Sequence, residues 1–200
     1  MADPGKIRIK ELQSAIESIQ RGEFGRAEKI LLQITASDPK NFNANHMLGI
    51  VSTELNKFEQ AEKFFKASLS INATNPSLYK NYGFFLTKAK QLDRAIEQFD
   101  SALRLSPNFA LAYSDRGNAL AKLHKLDGAI ADYNRAIALA PNVFGIYHNR
   151  GSASLRKNQF SQALSDFERG AFAVYRAQGC VFQCAGARRV HSQLPADGRG

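Results

Sequence analysis

Pro76-Ser77-Leu78-Tyr79-Lys80-Asn81-Tyr82-Gly83 opens a stretch that runs on through Leu92-Asp93-Arg94-Ala95 and Phe99 to Ala102 and Pro107. The same order of residue sizes returns every 34 residues. Gly83 shares its phase with Gly49, Gly117 and Gly151, and with Ala15 at the front. Ala95 falls in step with Ala27, Ala61, Ala129 and Ala163, and Phe99 with Leu31, Phe65, Tyr133 and Phe167. Leu92 matches Phe24, Phe58, Leu126 and Phe160. A fixed period with a constant phase marks a repeat array, in which each unit buries its apolar face against the next. Glycine inside a helix costs about 1 kcal/mol relative to alanine, so its recurrence implies a close approach rather than a break. Gly83 and Ala95 are expected to face each other across a helical hairpin, with Phe99 filling the space between that hairpin and the next. Leucine at Ala95 or Ala129 should overpack the contact, at a cost of about 1–3 kcal/mol.

With each unit numbered 1 to 34, the third and fourth share a large residue at position 4, a small one at 8, alanine at 20 and 27, an aromatic at 24 and proline at 32. The third unit has Tyr79, Gly83, Ala95, Phe99, Ala102 and Pro107 at these places. The fourth has Tyr113, Gly117, Ala129, Tyr133, Ala136 and Pro141. On these residues, 8–177 resembles five tandem tetratricopeptide repeats, with units 8–41, 42–75, 76–109, 110–143 and 144–177. The resemblance implies an all-α, right-handed superhelix (a solenoid) of ten helices in helix-turn-helix hairpins, which serves as a protein-interaction scaffold.

The composition fits this reading. The hydrophobic fraction is 44%, and no run of about 18 apolar residues suggests a membrane span. Met1 to Lys6 is polar, with no apolar core of a secretory signal, so the expected compartment is the cytoplasm. The formal charge of +9 is spread along the chain rather than blocked. It favours acidic partners, and a solvated surface explains it better than nucleic-acid binding. The two cysteines, Cys180 and Cys184, do not describe a disulfide framework.

Along the chain, residues 1–7 read as a polar lead. The first unit is the most divergent, with Ile9, Leu12, Ile16 and Ile19 on one helical face expected to pack on the second unit. Lys57-Phe58-Glu59 is the expected turn between the helices of the second unit. Asn75-Pro76 places proline in a first helical turn. Asp93 and Asp127 follow the turns of the next two units and are expected to cap the second helices by accepting backbone N–H groups. Ser106-Pro107 and Ala140-Pro141 mark helix ends, because the residue before proline leaves the helical region. After Ala177 the period is lost, and 178–200 reads as irregular or disordered. No capping element with a polar outer face is recognisable there, which suggests one end of a longer protein.

In the family that this chain resembles, positions 2, 5, 9 and 12 of the first helices point into the concave surface. The resemblance places Asn43, His46, Ile50 and Thr53 there, then Ser77, Lys80, Phe84 and Thr87. Leu111, Ser114, Asn118 and Ala121 follow, then Gly145, His148, Ser152 and Leu155. Position 6 adds Met47, Asn81, Asp115 and Asn149. Asparagine donates and accepts at once, so Asn81, Asn118 and Asn149 could grip the backbone of an extended peptide. The same side chains could equally be solvated helix residues. The clamp that holds chaperone C-terminal carboxylates is not expected. One register offers His46, Ile50, Asn81, Leu111 and Asp115, and the other Lys80, Phe84, Asp115, Gly145 and Asn149. Each matches that clamp once in five, and Asp115 would repel a carboxylate. The interrupted asparagine row is similar to the repeats that precede O-linked N-acetylglucosamine transferase domains. The alternative reading is therefore a substrate-recruiting arm of a larger enzyme. His46, His124, His148 and His191 are dispersed, and no metal site, cofactor site or catalytic arrangement is expected.

Overall fold

The computed structural model describes residues 4–177, with side chains over 9–170. The 178–200 tail lies outside the described residues, and with it Cys180, Cys184 and His191. The described chain is ten helices in five hairpins: α1 (Pro4–Gln20) with α2 (Phe24–Ser37), α3 (Phe42–Glu54) with α4 (Phe58–Ile71), α5 (Pro76–Lys88) with α6 (Leu92–Leu105), α7 (Ala110–Lys122) with α8 (Leu126–Leu139), and α9 (Phe144–Arg156) with α10 (Phe160–Ala177). Helix α1 starts at Pro4, so part of the expected polar lead is helical.

The turns within hairpins share one device. Gly22, Asn56, Lys90, His124 and Asn158 all occupy unit position 15, and all have positive φ, from 57° to 74°. This left-handed residue lets the chain close each first helix with a six-to-one backbone bond, such as Gln91 N–H to Leu86 C=O at 2.9 Å. The turn in the second unit is therefore Leu55–Lys57, two residues earlier than expected, and Phe58 and Glu59 are already helical. Asp93 and Asp127 also sit inside their helices, in the first turn, and accept no capping bond. There they offset the partial positive charge of the helix N-terminus. Each also pairs with the following repeat, Asp93 with Lys125 and Asp127 with Lys157. True side-chain caps open α3 and α5 instead, where Asn41 Oδ1 accepts from Ala44 N–H at 3.0 Å and Asn75 Oδ1 from Leu78 N–H at 3.2 Å. Pro76 follows in the first turn of α5. Helices α6 and α8 stop before Ser106 and Ala140, as the prolines that follow require.

The small residue at position 8 meets the aromatic of its own hairpin most closely. A Cβ on Gly83 would lie 2.7 Å from Phe99 Cε1 in the same hairpin, and Gly49, Gly117 and Gly151 meet Phe65, Tyr133 and Phe167 in the same way. The glycine therefore admits the position-24 ring against its helix. The ring also reaches forward, since Phe65 stacks on Tyr82 at 5.3 Å and meets Phe85 at 5.7 Å in the next hairpin. The core is a row of such clusters passed from unit to unit. Ala27, Leu31 and Leu48 anchor the first junction, Phe65, Leu78, Phe85 and Phe99 the middle, and Tyr133 with Ile146 the last. Leu12 and Ile19 pack on the first cluster, whereas Ile9 is exposed.

In the last two units a charged clasp is added to the apolar contacts. Arg116 donates two hydrogen bonds to the buried Asp132, at 2.8 and 2.7 Å, and also reaches Asp100 in the preceding hairpin. Arg150 grips Asp166 in the same way, at 2.8 and 2.6 Å. Successive first helices α1, α3, α5, α7 and α9 touch one another, and among the described residues successive second helices do not. A stack with one row in contact and the other splayed is curved, so the first helices line its inner face.

Candidate functional site

Two adjoining cavities lie on that inner face. One, of ≈ 290 Å³, is bounded by Ile50, Thr53, Phe84 and Leu111, with Lys80, Asn81 and Asp115 as its polar wall. The other, of ≈ 300 Å³, is bounded by Phe84, Thr87, Asn118, Asn149 and Ser152, with Lys122 and Arg156 at its edge. Phe84 and Asp115 border both, so the two form one trough across α3, α5, α7 and α9. Phe84 is 39% exposed and stands as a ridge between them.

Six of the ten proposed groove residues line this trough: Ile50, Lys80, Asn81, Phe84, Asn118 and Asn149. Of the other four, Asn43 is exposed at the start of α3, and His46 sits behind Asn81. Ser114 is buried, and His148 is exposed with its ring 5.4 Å from Phe167.

The polar groups form two networks. Lys80 Nζ donates to Asn81 Oδ1 at 3.2 Å, and Asn81 Nδ2 donates to His46 Nε2 at 2.9 Å. An ammonium group only donates, so the amide oxygen must face it and the amide nitrogen must face the imidazole. His46 Nε2 is then an acceptor and the ring is neutral. Burial, with Lys80 nearby, lowers its pKa to about 4, in agreement with that tautomer. Lys80 also lies 3.7 Å from Asp115, whose carboxyl burial pushes upward against the pull of this ammonium. In the second network Asn118 Oδ1 accepts from Tyr133 Oη at 2.8 Å and from Asn149 Nδ2 at 3.0 Å. Asn81 is thus held at both ends, while Asn118 keeps its amide donors and Asn149 its acceptor for a ligand.

Two sets of groove residues are not evident in the family positions. The buried rings of Phe65, Phe99 and Tyr133 lie beneath the floor, where glycine at position 8 lets them approach the first helices. Glu54, Lys88, Lys122 and Arg156 form a rim. All four stand at position 13, one helical turn beyond position 9, and that recurrence was the available signal. Among the described residues no three His, Cys, Asp or Glu side chains cluster in a way that would hold a metal ion.

Comparison with known proteins agrees with this architecture. Tetratricopeptide repeat profiles match residues 42–75 and 110–143, and a TPR repeat profile matches 86–124. The chain is a tetratricopeptide repeat protein, of the class whose hairpins scaffold contacts with other proteins. Among solved structures it is similar to PilW, described as a widely conserved type IV pilus biogenesis factor, with 22% identity and a TM-score of 0.78 over 86% of this chain and 79% of that one. It is similar to pilF of Pseudomonas aeruginosa, with 19% identity and a TM-score of 0.77 over 84% and 77%. MamA from Desulfovibrio magneticus RS-1 aligns with 21% identity and a TM-score of 0.73 over 89% and 98%. At these identities the likeness carries the fold alone. No curated protein matches the sequence. Among the described residues no helix is long and apolar enough to cross a membrane.

Proposed function

We propose that this chain is an interaction scaffold that holds an extended segment of another protein in the trough of its first helices. The observation that carries this reading is the pair of adjoining cavities, ≈ 290 and ≈ 300 Å³, joined at Phe84. The trough combines an exposed aromatic ridge with amide and hydroxyl groups that retain free donors and acceptors. That mixture suits a peptide, whose backbone needs hydrogen bonds and whose side chains need apolar cover. Its walls are regular helices packed on both sides, so little ordering is required on binding.

The enzyme-arm alternative rests on the interrupted asparagine row. Asn81 is tied at both ends to Lys80 and His46, and Asp115 breaks the row between Asn81 and Asn149. These contacts favour the scaffold reading.

The test is selection of binders from a displayed library of short linear peptides on the immobilised full chain. Phe84→Ala is then measured against the selected peptides, with Lys63→Ala on the outer side of α4 as control. Loss of about tenfold or more in affinity for Phe84→Ala, with no change for Lys63→Ala, supports the groove. Equal affinities for wild type and Phe84→Ala place binding elsewhere and overturn it.

A further inference from the structure

The rim of the trough changes sign along its length. Glu54, Lys88, Lys122 and Arg156 are the last residues of α3, α5, α7 and α9, so they stand in a row at one edge. The first two neutralise each other, with Lys88 Nζ 2.9 Å from Glu54 Oε2, and Lys88 also lies 5.4 Å over the Phe84 ring. Lys122 makes no hydrogen bond or ion pair among the described residues. Arg156 donates to the Ala121 carbonyl at 2.9 Å and to His124 Nδ1 at 3.0 Å. Both acceptors are neutral, since a ring nitrogen that accepts carries no proton. The carboxylate on the same cavity, Asp115, is already opposed by Lys80. The cavity between α5, α7 and α9 therefore holds two positive charges that nothing on its walls offsets. Its neighbour offers the apolar surface of Ile50, Phe84 and Leu111, and its one cation, Lys80, is already paired with Asp115.

We propose that the groove selects a segment carrying an acidic side chain, Asp or Glu, seated at Lys122 and Arg156, with an apolar side chain in the Ile50–Phe84–Leu111 cavity. The inference rests on the groove reading above and specifies its ligand. Packed helices lie about 8–10 Å apart, and an extended chain rises about 3.3 Å per residue. One step between first helices therefore spans about three residues. The apolar cavity centres on α5 and the cations close α7 and α9, so the two side chains should be about three to six residues apart. The cations stand at the rim while Asn118 and Asn149 lie on the floor. A backbone lying over the floor would send a side chain outward to them, which favours an internal carboxylate over a chain terminus. A nucleic-acid backbone would bring a run of phosphates past Glu54 and Asp115 in the same trough, so a peptide fits better.

The test uses an array of heptapeptides blocked at both ends. Each carries one leucine and a single Glu, Gln or Lys at every spacing from it, and the array is probed with the full chain at low and physiological salt. Glu at a spacing of three to six should bind about three- to twentyfold more tightly than Gln, as expected for one or two exposed ion pairs, and less so in high salt. Lys122→Gln should remove part of that preference, and Lys122→Glu should reverse it towards the Lys peptides. Lys122 is exposed and makes no hydrogen bond or ion pair among the described residues, so neither change threatens the fold, and thermal unfolding of each variant checks this. Peptides that bind with no preference for Glu would sink the acidic ligand while leaving the groove intact. Failure of every peptide, including those from the displayed library, would overturn the groove itself. Tighter binding of a free C-terminus at any sequence, or of a single-stranded RNA oligonucleotide in place of the peptides, would also refute the inference.

Discussion

Alanine at Gly83 separates two explanations for the repeated glycine. A helix-interior alanine gains about 1 kcal/mol over glycine by propensity alone. Here the added Cβ would lie 2.7, 2.8 and 2.9 Å from three atoms of the Phe99 ring. Unstrained carbon contacts are about 3.5–4.0 Å, so the ring or the helix must move by close to 1 Å. Phe99 is fully buried and packs in the middle cluster with Leu86, Ala95 and Ala119, so the ring has nowhere to swing. Overpacking of this kind costs about 1–3 kcal/mol, and three simultaneous contacts put it in the upper part of that range. The expected net effect is a loss of about 1–2 kcal/mol, or roughly 2–8 °C in Tm for a chain of this size. Urea unfolding followed by circular dichroism at 222 nm measures it. Hydrogen exchange in α5 and α6 guards against unit-by-unit unfolding of the array. Gly128→Ala is the internal control, because its nearest neighbour, Leu120 Cδ1, would be at an ordinary 3.4 Å; it should gain a few tenths of a kcal/mol up to about 1. Phe99→Leu should relieve the clash, giving a favourable coupling of about 1 kcal/mol or more in the double-mutant cycle. A Gly83→Ala protein as stable as wild type, or more so, would refute the reasoning.

Three further outcomes are expected. Lys90→Gly, at a turn with φ of 61°, should stabilise by about 0.5–1 kcal/mol, because the left-handed region strains a side-chain-bearing residue; a lower Tm would show that the lysine contributes more than its backbone costs. Arg150→Ala should destabilise by about 3–5 kcal/mol, because it leaves the buried Asp166 without its cation. Arg150→Met with Asp166→Leu should restore most of that loss, as read by hydrogen exchange in α9 and α10. His46 has a folded pKa of about 4, below the unfolded value near 6.5. The unfolded chain therefore takes up a proton first. The stability this site contributes is complete above pH 6.5 and falls as pH drops towards 4, by at most about 3 kcal/mol. An NMR titration of the His46 ring with a midpoint above pH 6 would contradict the Asn81–His46 geometry.

The period of 34 residues established the hairpins, their number and their order, because a repeat must bury the same face at the same phase in every unit. It also located most of the trough, since positions 5, 6 and 9 of a first helix share one side of it whatever the unit. What a one-dimensional phase does not contain is which residue of one helix meets which of another. That is why the spacing does not show that Phe99 is the ring closest to Gly83, or that the left-handed Lys90 closes the turn before Asp93. Whether each polar group is free was likewise decided only in three dimensions. Asn81 and Asn149 look alike in the sequence, yet Lys80 and His46 hold both ends of the first, while the second keeps an acceptor open to the trough. The unbalanced charge of Lys122 and Arg156 arises the same way, because charge compensation depends on distances between helices that lie a full repeat apart.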